Sequence, residues 1–218
     1  VKLFFCGAVK TALEHNSWPG EIAWGTVGAL RDRVLAGERP GVIIVSDAAL
    51  DQLADHGLLV PGTRLSMGDT ATGLAIRDGA RRRPIGTSEE LRVALLTCES
   101  IAWADGRSGA TAGKHFEAVV AQLGIMAELL PKATLVRFGV EAVAACSRGE
   151  VELAVSQSTE IVGRPGVSLL GPFPAPFALS TGYSAAIVED SAAARGVMAR
   201  LATPTTRAAL DAIGFTNP

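Results

Sequence analysis

Three apolar runs in this chain break into small residues and then open onto helix-forming sequence. They are Phe5-Cys6-Gly7-Ala8-Val9-Lys10, Trp24-Gly25-Thr26-Val27-Gly28-Ala29-Leu30 and Ser108-Gly109-Ala110-Thr111-Ala112-Gly113-Lys114. Each places backbone N–H groups at a helix start with no bulky side chain over them. A helix start carries unpaired donors and the positive end of a dipole, so it attracts an anion. Three of them predict a common anion pocket with backbone donors at Val9, Val27, Gly28 and Ala112. Lys10, Thr26, Thr111, Lys114 and His115 lie in or beside the same first turns, and Ser46, Gln157 and Ser158 follow strand-like runs. Ligands of open parallel sheets sit beyond the carboxyl ends of the strands, which is where these residues are expected.

Other chemistries lack their residues. The segment from Gly106 to Lys114 has Ser108 where a phosphate loop needs glycine and His115 where it needs Ser or Thr. No GxSxG elbow anchors a serine hydrolase. The three histidines form no HExxH, and Cys6, Cys98 and Cys146 are far apart with no CxxC, so no metal site and no cofactor are expected. Buried, reduced thiols are the simplest reading of the cysteines. A net charge of −2 and 5% aromatic residues argue against nucleic acid. No apolar stretch approaches the length of a membrane span, and a monomer is expected. The chain opens directly on a strand-like run, Val1–Cys6, so the compartment is left open: periplasmic if a leader was removed, otherwise cytoplasmic.

The elements that must position these residues alternate almost throughout. Strands are predicted at 2–6, 21–24, 42–45, 72–76, 100–104, 134–136, 153–155, 168–170 and 183–188. Helices are predicted at 9–15, 30–36, 48–56, 88–96, 112–123, 140–148, 191–201 and 205–213. Gly37 and Gly57 end two of them, as the residue type that accepts a left-handed cap. Such alternation implies α/β structure, with mainly parallel sheets flanked by helices. The polar segment 77–84, with its run Arg81-Arg82-Arg83, reads as a solvated loop, and 171–177 is extended by its prolines. Two lobes joined by two crossover strands follow: 1–76 with 184–218, and 77–183. Two lobes so joined can close on a ligand.

In their order and spacing, 5–13, 25–37 followed by 42–47, 102–116, 149–158, 183–188 and the closing Gly214-Phe215 resemble the molybdate-binding-type branch of periplasmic solute-binding proteins. The resemblance spans nearly the whole chain. It implies the two-lobed type II binding-protein fold, a small anionic ligand between the lobes and an ABC transporter permease as partner. Val9 and Val27 stand where molybdate binders usually carry serines, and the tyrosine that contacts the anion there falls near Gln157. With those hydroxyls replaced and a lysine at position 10, the pattern points to an organic anion, a carboxylate, captured between the lobes. Some relatives are aconitate isomerases, so a second reading is an enzyme that shifts a proton in an unsaturated polycarboxylate. In that reading Lys10 or Lys114 stabilises charge, and His115, Lys114 or a water serves as base. Molybdate or tungstate uptake is a third reading. Structural roles stand beside the functional ones: Thr26 and Thr111 as helix caps, Lys10 as a surface lysine, His115 as a packed histidine, Trp24 and Trp103 as core. Tyr183 serves either hinge packing or ligand contact.

Overall fold

A computed structural model describes residues 1–216 of the chain. Residues 217 and 218, the end of the segment expected to complete the first lobe, lie outside them. In chain order the first elements are β1 (Lys2–Cys6), α1 (Lys10–Leu13), β2 (Glu21–Gly25), α2 (Val27–Leu35), β3 (Val42–Ser46), α3 (Asp47–Asp55) and β4 (Leu65–Arg77). Then come α4 (Ser88–Thr97), β5 (Ile101–Ala104), α5 (Thr111–Leu123), α6 (Met126–Leu129), β6 (Ala133–Val136) and α7 (Gly139–Ser147). The chain continues through β7 (Leu153–Gln157), α8 (Ser158–Ile161), β8 (Val167–Pro172), β9 (Ser180–Ile187), α9 (Ala192–Leu201) and α10 (Pro204–Ala212). Two compact units result. Unit 1 is Val1–Thr70 with Thr181–Pro218, and unit 2 is Ala71–Ser180. The chain leaves unit 1 inside β4 and returns at the start of β9, in both cases upstream of the junctions expected from sequence.

In unit 1 the strands run in the order β2-β1-β3-β9, with β1 parallel to β2 and β3, and β9 antiparallel to β3. The run Val42-Ile43-Ile44-Val45 is wholly buried, as a strand covered on both faces must be. Its side chains share one core with Phe4, Phe5, Leu13, Leu30, Leu50 and Val197. Unit 2 has the order β8-β4-β7-β5-β6, with β5 parallel to β6 and β7, and β4 antiparallel to β7 and β8.

The pleat sorts side chains by size in unit 2. Leu74, Ile76, Ile101, Trp103, Leu153 and Val155 face a cluster that includes Leu91 and Leu95 of α4 and Phe116, Val119 and Val120 of α5. The intervening Ala75, Ala102 and Ala154 face Ala142, Val143, Ala145 and Cys146 of α7. Alternate residues line alternate faces, so one face takes bulky helices and the other admits a close-lying, small-residue helix.

The one-turn helices α6 and α8 were not expected from sequence, and three further elements differ from the expectation. The helix expected over 9–15 is one turn, Lys10–Leu13, entered through a 3-10 turn at Gly7–Val9. Its last α-type bond is Glu14 N–H to Lys10 O at 2.8 Å, after which the chain turns toward β2 through Pro19 and Gly20. The helix α2 starts at Val27, earlier than expected, because Thr26 caps it. The strand expected at 72–76 is the second half of a 13-residue strand. Its first half hides behind Ser66, Gly68 and Asp69, where Asp69 bridges to Thr216. Among the described residues no helix is long and apolar enough to cross a membrane.

Candidate functional site

Unit 1 gathers its candidate residues at one end of its sheet. Cys6 pairs with Gly25 in register and Phe5 with Ile44, so the carboxyl ends of β1, β2 and β3 lie side by side. After β1, Val9 is fully buried and its side chain belongs to the core. Lys10 Nζ lies 3.9 Å from Glu14 Oε2 and 5.7 Å from the centroid of the Trp24 ring. Trp24 in turn meets Phe5 edge-on at 5.9 Å. An ammonium over an indole face and beside a carboxylate is held in place by both. The one-turn α1 is too short for a macrodipole, so its anion attraction rests on Lys10 rather than on the helix.

After β2, Thr26 Oγ1 accepts the Ala29 N–H at 3.2 Å and caps α2. The residue as a whole is 7% exposed. Val27 and Gly28 supply the first N–H groups of this nine-residue helix. After β3, Ser46 stands at the N-cap of α3 with no side-chain cap bond, and it pairs in register with Tyr183. Tyr183 is buried and stacks edge-on with Phe215 at 6.0 Å, a packing role within the unit 1 core. Asp47 occupies the first position of α3. Its Oδ1 accepts from Ser184 Oγ at 2.6 Å and from Arg64 at 2.9 Å. An anion at Ser46 would therefore meet a carboxylate whose charge Arg64 balances.

In unit 2 the β5–α5 turn is the most constrained. Asp105 Oδ1 accepts the Arg107 N–H at 2.9 Å, and the Arg107 guanidinium holds the Asp105 carboxyl below its usual range. Gly109 takes φ +80°, and Ala110 is the N-cap with no side-chain cap bond. Thr111 is thus the first helical residue rather than the cap expected from sequence. The left-handed Gly109 and extended Ala110 delay the helix by one position. The Thr111 hydroxyl has no partner among the described residues, and the first intrahelical bond is Lys114 N–H to Ala110 O at 3.1 Å. The N–H groups of Thr111, Ala112 and Gly113 precede it. A Cβ at Gly113 would overlap the carbonyl oxygen of Ala104, so only glycine lets α5 start this close to the end of β5. Glu117 braces the turn: its Oε1 accepts from Gly106 N–H at 2.9 Å and from Trp103 Nε1–H at 3.2 Å.

Lys114 is exposed, whereas His115 faces inward. Its Nε2 lies 2.8 Å from Phe177 O, and its ring lies against Phe173 at 5.9 Å. A carbonyl only accepts, so Nε2 carries the proton and Nδ1 is left as the basic nitrogen. At the end of β7, Gln157 is buried and Ser158 Oγ donates to Ala71 O at 2.9 Å. Ser156 Oγ is hydrogen-bonded to the buried Glu160 carboxyl. Thr72, register partner of Gln157, and Thr159 have buried hydroxyls with no hydrogen-bond partner among the described residues. Buried hydroxyls normally find partners, so these two join the candidate set. Thr72 in a strand reads as β-propensity, and Thr159 in the one-turn α8 belongs to no motif, so sequence alone gave no sign of either. No group of three or more His, Cys, Asp or Glu that could hold a metal occurs among the described residues.

Parallel strand ends carrying helix starts, in each of two α/β units, define a binding-protein architecture. The chain belongs to the bacterial extracellular solute-binding protein family, whose sequence pattern matches residues 15–216. It is 26% identical over 194 residues to an aconitate isomerase of a Pseudomonas species, covering 87% of this chain and 72% of that protein. The periplasmic molybdate-binding protein of Azotobacter vinelandii superposes with a TM-score of 0.76 at 17% identity, over 100% of this chain and 99% of that one. Peb3 of Campylobacter jejuni does so with a TM-score of 0.66 at 12% identity, over the full length of both chains. At these identities the structural likenesses are of fold: the type II binding-protein architecture.

Proposed function

We propose that this solute-binding protein captures a small organic anion, a carboxylate. The observation that carries this reading is Lys10. It opens α1, just beyond the turn that follows β1, with its ammonium held by Trp24 and Glu14. A partly exposed cation answers a carboxylate with a charge-assisted hydrogen bond. The remaining donors proposed in unit 1 are the N–H groups of Val9, Val27 and Gly28, with the hydroxyls of Thr26, Ser46 and Tyr183. Those in unit 2 are Thr111, Ala112, Gln157 and Ser158, with Thr72 and Thr159 added. The same fold carries an organic acid in PEB3 with L-phospholactate bound. An ABC transporter permease would receive the solute.

A thermal-shift screen tests this directly, because a ligand of the folded state raises the melting temperature. Succinate, citrate and cis- and trans-aconitate are compared with molybdate, tungstate and sulfate. At least one carboxylate is expected to stabilise the protein more than any inorganic oxyanion. Stabilisation by the oxyanions alone refutes the reading and leaves molybdate or tungstate uptake.

A second reading is favoured by the aconitate isomerase relative. In it a base removes an allylic proton from the methylene of aconitate. The electron pair spreads into a dienolate, and the proton returns to the former vinylic carbon. His115 Nδ1 supplies the base and Lys10 stabilises the developing charge, each role resting on general acid–base and electrostatic catalysis. Incubation with cis-aconitate, followed by chromatography of the two isomers, decides it. An unchanged isomer ratio at micromolar protein removes this reading and leaves capture.

A further inference from the structure

Unit 2 contains a cavity of about 490 Å³ beside α4, whose lining includes Ile76, Arg81, Arg82, Pro84, Val93 and Leu153. The volume is that of a small-molecule site. Its apolar wall is unusual for a surface feature. Ile76 and Leu153 come from the core beneath it, and Val93 on α4 is 47% exposed.

The cavity lining sets Arg81, Arg82 and Arg83 against Glu89, Glu90 and Glu152, a formal balance in which the partners are unevenly shared. Arg83 is ion-paired with Glu152 and donates to Thr97 Oγ1 at 2.8 Å. Glu152 also accepts the Glu99 N–H at 2.6 Å. Glu90 accepts the Thr87 N–H at 3.1 Å in the capping box of α4. Glu89 sits in the same first turn, where the positive pole of the ten-residue helix offsets carboxylate charge. Arg82 gives one nitrogen to the carbonyls of Leu169 and Leu170, at 3.1 and 2.8 Å, and has no carboxylate partner among the described residues. Arg81 has neither a hydrogen-bond nor an ion-pair partner among them. Two guanidiniums without a carboxylate partner among the described residues thus stand beside an apolar wall. The run that reads from sequence as a plain solvated loop therefore borders a cavity and leaves the Arg81 fork open beside it.

We propose that this cavity is a second binding site, for a small monoanion with an apolar body such as an arylalkyl carboxylate. The ring lies against Val93 and Pro84, and Arg81 takes the carboxylate with its planar fork. The site lies wholly within unit 2 and does not depend on the capture site proposed above.

Phenylacetate tests it, titrated into methyl-labelled protein and followed at the Val93 methyl resonances. Phenylacetamide serves as the neutral analogue and acetate as the anion without a ring. Phenylacetate is expected to shift the Val93 signals saturably, with a dissociation constant on the order of 1 mM for so small a ligand. Arg81→Gln should weaken the response roughly fivefold or more through loss of the charged fork. Val93→Glu should abolish phenylacetate binding, read by calorimetry. Both positions are exposed, so an unchanged melting temperature confirms that the variants fold. Absence of a saturable Val93 shift overturns the proposal. So does an equal response to phenylacetamide or acetate, or an Arg81→Gln protein that binds as the parent does.

Discussion

Replacing Lys10 by Met removes the ammonium and keeps most of the apolar stem. Its effects on stability and on binding should separate cleanly. On the stability side, the Lys10–Glu14 pair is an i,i+4 contact at 3.9 Å between side chains 32% and 20% exposed. Such pairs contribute about 0.3–0.5 kcal/mol. The contact with Trp24 at 5.7 Å adds about 0.5–1 kcal/mol. The variant should therefore lose about 1 kcal/mol of stability, a fall of about 2–4 °C in melting temperature for a chain of this size. On the binding side, a hydrogen bond from an ammonium to a ligand carboxylate contributes about 1.5–3 kcal/mol. At 1.4 kcal/mol per decade, affinity should fall roughly 10- to 100-fold. Isothermal titration with the most stabilising carboxylate, at low and moderate salt, measures this. Parent affinity should weaken with salt more steeply than that of the variant, because one charge contact is missing. An affinity within twofold of the parent, in a variant that folds, would refute the placing of the ligand carboxylate at Lys10.

Two further outcomes follow from packing and burial. Gly113→Ala should cost about 1–3 kcal/mol in urea denaturation, because the added methyl meets the Ala104 carbonyl. The same change at Gly196 in α9, where nothing lies within 4 Å, should instead gain up to about 1 kcal/mol from helix propensity. Equal effects at the two sites would contradict the close start of α5. Burial pushes the Cys146 thiol from 9.0 up to about 11, and Cys98 shifts in the same direction. The folded state disfavours the thiolate, so this stability is present in full below pH 9 and is lost as pH rises toward 11. Urea midpoints from pH 8 to 11 should fall less steeply in Cys146→Ala than in the parent, and parallel curves would count against the assignment.

The strand–helix alternation was legible because it is local. The run Val-Ile-Ile-Val needs no partner to be recognised as a buried strand, and Gly37 and Gly57 mark their helix ends with φ of +104° and +67°. The β5–α5 turn was legible for the same reason, apart from the cap. Sequence assigned that cap to Thr111 because threonine is a good N-cap, but a left-handed glycine and an extended alanine fill those positions. What could not be read depends on distance along the chain. Glu117 reaches back to Gly106 and Trp103, His115 is fixed by Phe177 O, and Arg83 meets Glu152. Each pairing is set by the fold and leaves no spacing signal. The first half of β4 was missed because its polar residues and Gly68 interrupt the apolar alternation, although the backbone continues through them.

Unit 2 is one uninterrupted stretch, whereas unit 1 is assembled from both chain ends. A nascent chain therefore completes residues 71–180 before the partner of β3 has been synthesised. Until 183–187 emerge, β3 presents Val42-Ile43-Ile44-Val45 with an open ladder on the side that β9 will take. An apolar edge with unpaired amides is a template for unwanted pairing between molecules. The growing polypeptide must carry that sticky border through most of its translation, and the arrival of β9 is what closes it.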